Sequence, residues 1–299
     1  GLVLGSMYAL VALGYTMVYG IINLINFAHG EILMVGAMVS WTVVTALADT
    51  GMPGWLLMLI GLACAIVVCA VLNFSVEKIA YRPLRNAPRL APLITAIGVS
   101  IVLQTLAMMI WSRNPLTFPQ LLPSSPIDIG STGATITGKE IAIILVSILV
   151  MVGLILLVNR TKLGRAMRAT AENQRVAGLM GVNPNFVISA TFMIGAAMAA
   201  VAGVMMATNY GNAHFYMGFI PGLKAFTAAV LGGIGNLAGA MVGGVLLGLI
   251  EALGAGYIGD LTGGVFGSNY QDVFAFIVLI GVLLFRPSGI MGERVADRA

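Results

Sequence analysis

Charge is what this chain has least of. Asp, Glu, Lys and Arg make up 9% of its 299 residues, where an ordinary soluble domain carries roughly 25%. So little charge cannot clothe a water-facing surface, and the mean hydropathy of +1.01 makes lipid the main solvent. The longest polar stretch lies around Arg113 to Lys139, too short to be a separate water-soluble domain, so residues 1–299 are read as a single transmembrane domain. Cysteine is nearly absent: Cys64 and Cys69 stand five apart in an apolar run. At about 100° per residue they point to different sides of a helix, and both are expected to be buried thiols without a redox role. The two histidines, His29 and His214, have no Cys, His or Asp partner at ligand spacing. No phosphate loop, nucleophile elbow or paired catalytic carboxylates can be assembled either. Catalysis by this chain is therefore not expected, no cofactor is expected on it, and active transport needs energy from a partner or an ion gradient. An initiator Met is missing at Gly1, so a few native residues are expected before it. The first apolar stretch has no basic flank or cleavage pattern and is read as a span, not a signal peptide.

What is present is a series of apolar runs. Each crossing needs roughly 20 such residues, and eight segments are read as transmembrane helices: Leu2–Ile22, Ile32–Ala48, Trp55–Val76, Leu90–Ile110, Ile141–Val158, Phe186–Thr208, Ala238–Ile258 and Tyr270–Phe285. Phe219–Leu231 is too short to cross as a straight helix and runs into Gly232-Gly233-Ile234-Gly235-Asn236, so it is expected to be a broken helix. Such a break survives in a bilayer only where protein or a cavity covers its free backbone. The fold class that follows is all-α: a polytopic transmembrane helix bundle of about eight full spans plus one short broken helix. A weak echo between Gly20–Met38 and Gly233–Gly248, each a Gly/Asn break before a helix rich in small residues, has the pattern of an internal repeat.

The formal net charge is +4, and the position of the cations matters more than their sum. They form three clusters: Lys78, Arg82, Arg85 and Arg89; Arg160, Lys162, Arg165, Arg168 and Arg175; and Arg286, Arg294 and Arg298. By the positive-inside rule all three belong to the cytoplasm of a bacterial inner-membrane protein, and nucleic acid is not a partner. The links at 49–54, 113–139, 209–218 and 259–269 then lie outside, giving nine crossings with Gly1 outside and the C-terminus cytoplasmic. Pro115, Pro119, Pro123 and Pro126 make the 114–137 loop an expected irregular connector. Two stripes of small residues, Gly195/Ala199/Gly203 and Ala240/Gly244/Gly248/Ala252, should face other helices.

Three features depart from lipid-soluble monotony. The break from Asn23 through Asn26 and His29 to Glu31 either places an acid at a helix N-terminus, where it complements the dipole, or lines a substrate path. Glu251 stands in an apolar helix, where an ionised side chain costs at least about 2.5 kcal/mol at the bilayer centre. It shares the stripe of Gly244 and Gly248 and either faces the path or reaches water from its helix end. The stretch from Asn159 to Pro184 holds an expected short helix over Ala166–Met180, ended by Gly181 and cut off from the next span by Pro184. On composition this stretch is a topology anchor.

At these residues the sequence resembles the LivH-type permeases of branched-chain amino acid ABC importers. The resemblance is carried by Gly14-Tyr15-Thr16-Met17-Val18-Tyr19-Gly20 leading to Asn26-Phe27-Ala28-His29-Gly30-Glu31. It continues through Ala80-Tyr81-Arg82-Pro83-Leu84-Arg85, Gly164-Arg165-Ala166-Met167-Arg168-Ala169 and Lys224-Ala225-Phe226-Thr227-Ala228-Ala229 up to Gly235. It implies a LivM-type second permease, two cytoplasmic ATPase subunits that bind ATP and Mg, and a periplasmic branched-chain amino acid binding protein as partners. It also turns the Asn159–Pro184 stretch into an ATPase-coupling element, with Arg165, Arg168, Ala171, Glu172, Asn173, Gly178 and Gly181 as its residues. Urea and short-chain amide permeases share the Asn-Phe-Ala-His-Gly-Glu signature and are the alternative within the class. An ion-coupled secondary carrier is the alternative outside it.

Overall fold

Backbone amides and carbonyls find no water in a bilayer, so an apolar chain must satisfy them within each segment, and helices do this. The computed structural model describes residues 1–85, 87–88, 90–129, 134–262 and 270–292. Its helices are α1 (Leu2–Ile22), α2 (His29–Ala46), α3 (Gly54–Val76), α4 (Leu90–Ile110), α5 (Gly138–Arg160), α6 (Lys162–Glu172), α7 (Gln174–Leu179), α8 (Pro184–Tyr210), α9 (Phe219–Gly232), α10 (Leu237–Leu261) and α11 (Gln271–Phe285). Among the described residues seven segments are long and apolar enough to cross a membrane: α1, α2, α3, α4, α5, α8 and α10. The chain is a multi-pass helical membrane protein.

The expected eighth span at Tyr270–Phe285 is instead the 15-residue α11, about 22 Å long at 1.5 Å per residue. It joins α9 as a short helix. The broken helix is as expected: α9 ends at Gly232, where Gly233 turns the chain at φ 110°.

α1 is the axis of the bundle. It is buried along almost its whole length and packs on α8, α9 and α10. Both small-residue stripes make these contacts. Gly244 and Gly248 meet the backbones of Ala9 and Gly5 on α1, Gly203 meets Leu33 of α2, and Gly195 meets Gly14 of α1. A side chain at Gly203, Gly244 or Gly248 would push helix axes apart, which is why small residues stand where helices touch in lipid. α3, α4 and α5 form the outside, with Val67, Ile101 and Leu149 exposed as lipid-facing residues. Cys69 is buried, its thiol 3.4 Å from the Ile32 carbonyl, whereas Cys64 is only half-buried, a correction to the expected pair of buried thiols.

The described basic residues of the three clusters gather at one end of the bundle. Arg82 and Arg85 reach Ser189 and Asn185 at the start of α8, and Arg168 shares a cavity with Pro287 and Ser288. Arg89, Arg294 and Arg298 lie outside the described residues. Glu77, buried at the end of α3, pairs with Arg82 at 2.8 Å and with Arg85, and takes a hydrogen bond from Ser189 at 2.7 Å.

At the opposite end the loops knit together. β1 (Leu116–Thr117) pairs antiparallel with β4 (Asn212–Ala213), and β2 (Pro126–Ile129) with β3 (Ala134–Thr137). The 114–137 loop is thus partly ordered as a hairpin, not the irregular connector its prolines suggested. Pro126 takes the first residue of its strand, where a missing N–H costs least. Trp41 and Trp111 donate to the Thr117 carbonyl and the Thr42 hydroxyl at 2.9 and 2.6 Å, tying these loops to α2.

Candidate functional site

α1 stops because Asn23 adopts the left-handed conformation, φ 51° and ψ 32°, which Asn tolerates better than most residues. The chain then turns back into the bundle. Asn26 holds it there: its side-chain oxygen accepts from the Ala28 amide at 3.1 Å and from the Tyr81 hydroxyl at 2.7 Å, while its carbonyl accepts from the His29 amide at 3.0 Å. As a result α2 begins deep inside the protein. His29, fully buried, lies beside Gly14 in the middle of α1 and Gly195 in the middle of α8, with its ring edge-on to Tyr15 at 4.7 Å. A Cβ on Gly14 would collide with that ring, so the glycine makes the space the imidazole occupies.

α9 also begins deep in the bundle. Gly218 and Gly222 press against Gly30, backbone to backbone, so the short helix returning from one end meets the helix returning from the other. The first turns of α2 and α9 therefore meet within the protein interior. Beside this junction Glu31 is buried, with its Oε1 accepting from Ser100 Oγ at 3.0 Å and Gln104 Nε2 at 2.7 Å, both on α4. Hydrogen bonds to a charged group are worth about 1.5–3 kcal/mol each. They offset part of the cost of taking the carboxylate out of water. Oε2 has no hydrogen-bond partner among the described residues. A cavity of about 270 Å³ opens here, lined by Tyr15, Phe27, Ile97, Ser100, Phe219 and Leu223.

Glu251 belongs to a different cluster and does not reach water. Its side chain is 2% exposed, 2.6 Å from Lys224 Nζ, and accepts a 2.8 Å hydrogen bond from the Tyr8 hydroxyl. Lys224 lies 2.7 Å from Asp272 as well, on the half-exposed face of α11. Both contacts are close ion pairs. One cation and two acids thus bind α9 to α10 and α11, with Tyr8 adding α1. Sequence reasoning passed over Lys224 and Asp272. The available signal was a Lys in a segment read as membrane-embedded, which demands an acidic partner.

The five path residues expected from sequence thus fall in three places. Asn26, His29 and Glu31 converge at the interior junction, and Glu251 sits in the Lys224 cluster. Asn23 is exposed at the basic end, in a cavity of about 860 Å³ shared with Asn159, Arg168 and Asn236. Both breaks of the sequence echo open on this basic-end cavity, through Asn23 and through Gly235 and Asn236, and the one before α2 also leads to the interior junction.

The coupling stretch is two helices, not the continuous one expected over Ala166–Met180. Asn173 divides them: it leaves helical geometry and its side chain accepts from the Arg175 and Val176 amides, both at 3.0 Å, as the N-cap of α7. Arg168 donates to the Val158 carbonyl and secures α6 to α5. Ala171 faces a small cavity with Thr16 and Gly20 of α1. Arg165 and Glu172 are exposed, and Gly178 has open space around it. Gly181, at φ 85°, ends the stretch as expected, and Pro184 opens α8. At the end of α7 the surface turns apolar: Leu179 and Met180 are each 81% exposed.

A family model described as the permease component of branched-chain amino acid transport systems matches residues 1–283. The chain is 49% identical to the high-affinity branched-chain amino acid transport system permease protein BraD of Pseudomonas aeruginosa, over 100% of this chain and 95% of the relative. It is 46% identical to LivH, the corresponding protein of Escherichia coli K12, over the same shares. A partial similarity, 30% over 57% of this chain and 47% of the relative, extends to the autoinducer 2 import system permease protein LsrC of Yersinia enterocolitica. No solved structure matches. With the match running through every described helix up to α11, the chain belongs to the family of permease components of branched-chain amino acid transport systems.

Proposed function

We propose that this chain is the membrane-spanning, non-catalytic permease of an ATP-driven importer for leucine, isoleucine and valine. The observation that carries the reading is full-length similarity to high-affinity branched-chain amino acid permeases, at 49 and 46% identity. In this reading the basic end faces the cytoplasm, where ATP and Mg are held by two ATPase subunits. A periplasmic binding protein delivers substrate at the end where β1 pairs with β4, and a LivM-type permease completes the pathway. Asn26, His29 and Glu31 stand beside the path, with Glu251 in the ion cluster that positions α9. The α6–α7 pair is the coupling element. Its apolar tip at Val176, Leu179 and Met180 suits a protein groove better than bulk water.

The test is affinity purification of this chain from its native membrane, followed by reconstitution. ATPase subunits should copurify, and vesicles given ATP and the binding protein should accumulate radiolabelled leucine. Uptake driven by an ion gradient without ATPases would make the chain a secondary carrier. Accumulation of urea or acetamide in place of leucine would move it to the amide permeases.

A further inference from the structure

The cavity beside the α2/α9 junction combines two chemistries. Phe27, Ile97, Phe219 and Leu223 give it an apolar wall, while Tyr15 and Ser100 contribute hydroxyl-bearing side chains. Ser100 donates directly to Glu31, whose second carboxylate oxygen is buried and has no hydrogen-bond partner among the described residues. An acid deep in a membrane protein is a functional site by default, and here its neighbours are neutral donors. Lys224 is committed to Glu251 and Asp272, and the Arg82–Arg85 pair to Glu77. The junction therefore holds a carboxylate with neutral donors on one oxygen and, among the described residues, no paired cation.

We propose that this cavity is a transient subsite for the transported amino acid. The aliphatic side chain lies against Phe27, Phe219 and Leu223, and the α-ammonium sits at the Ser100 hydroxyl, the lining group that stands between the cavity and the buried Glu31 carboxylate. The proposal rests on the importer reading above. A volume of about 270 Å³ suits one small molecule, near the lower end of ligand pockets at about 300 Å³. An apolar wall senses side-chain size, and a carboxylate beside it senses the ammonium that every such substrate carries.

The test measures uptake of radiolabelled leucine and valine by the complete transporter in proteoliposomes. If the wild-type protein carries neither, the importer reading fails, independently of the subsite. In a working transporter Leu223→Phe narrows the wall. Leucine uptake should then fall about tenfold relative to valine, the discrimination typical of one methylene in an apolar pocket. Because both rates come from one preparation, any loss of folded protein cancels in the ratio. Glu31→Gln should reduce both substrates about equally, and Glu31→Asp should restore part of the loss. Leu149→Trp, on the exposed side of α5 and away from the cavity, should leave the ratio unchanged. A wild-type leucine-to-valine ratio in Leu223→Phe overturns the subsite, and wild-type uptake in Glu31→Gln overturns the ammonium's place in it.

Discussion

Lys224 is the cation that holds one buried charge cluster together. It is 10% exposed and lies against Glu251, itself 2% exposed, and the half-exposed Asp272. Removing one partner of a buried pair costs about 3–5 kcal/mol because the other is left charged and desolvated, whereas removing both is often nearly neutral. Lys224→Met should therefore lower the thermal midpoint of the purified permease by on the order of 10 °C. Lys224→Met/Glu251→Gln should recover most of that loss, leaving the better-solvated Asp272 as the remaining acid. A double variant no more stable than the single one would show that the cluster does not act as a pair. Gly218 and Gly98 make a second contrast at this scale. A Cβ on Gly218 would strike the Gly30 carbonyl, while one on Gly98 meets nothing within 4 Å. Overpacking costs about 1–3 kcal/mol, so Gly218→Ala should destabilise the protein and reduce uptake. Gly98→Ala, in mid-helix, should be neutral or gain up to about 1 kcal/mol, as read from the same melting experiment.

The α6–α7 pair separates a folding role from a docking role. Gly178 has open space around it and Asn173 caps α7 with two hydrogen bonds. Gly178→Leu should therefore leave the permease as stable as before, yet reduce ATPase copurification about tenfold, a change worth about 1.4 kcal/mol at an interface. Asn173→Ala should cost about 1 kcal/mol locally, seen as faster hydrogen exchange over residues 174–179. Unchanged ATPase binding in Gly178→Leu would make the stretch a topology anchor. The same pair shows what the sequence made legible. Long apolar runs specified helices well enough that α1 and α4 end where composition ends them, at Leu2–Ile22 and Leu90–Ile110. The stop at Gly181 was legible because a left-handed glycine is a local signal. The division at Asn173 was missed because an internal cap looks like any polar helix residue until the chain bends there. Strand pairing of residues 116–117 with 212–213 joins segments far apart in sequence, and no local pattern announces it.

For the whole molecule, orientation follows from where charge is tolerated. The end carrying Arg82, Arg85, Arg160, Lys162, Arg165 and Arg168 should face the cytoplasm, since Lys and Arg near span ends set topology. The opposite end carries Trp41 and Trp111 beside the strand-forming loops, as amphipathic rings do at a membrane interface. The depth at which α2 begins could not be seen in the sequence, because the Asn23–Ala28 break reads equally well as a loop at the surface. Only the packing of His29 on Gly14 and Gly195 places it inside. Orientation is open to direct measurement. In a variant with Cys64 and Cys69 replaced by Ala, a single cysteine at the exposed Glu172 should react with a membrane-impermeant maleimide only after the inner membrane is opened. One at the exposed Ser124 should react in intact cells whose outer membrane alone is permeabilised. The two sites lie at opposite ends of the bundle, so a correct orientation gives one label in each condition. Labelling of Glu172→Cys from the periplasm would invert the molecule, and with it the assignment of α6 and α7 to the ATPases and of the β1–β4 end to the binding protein.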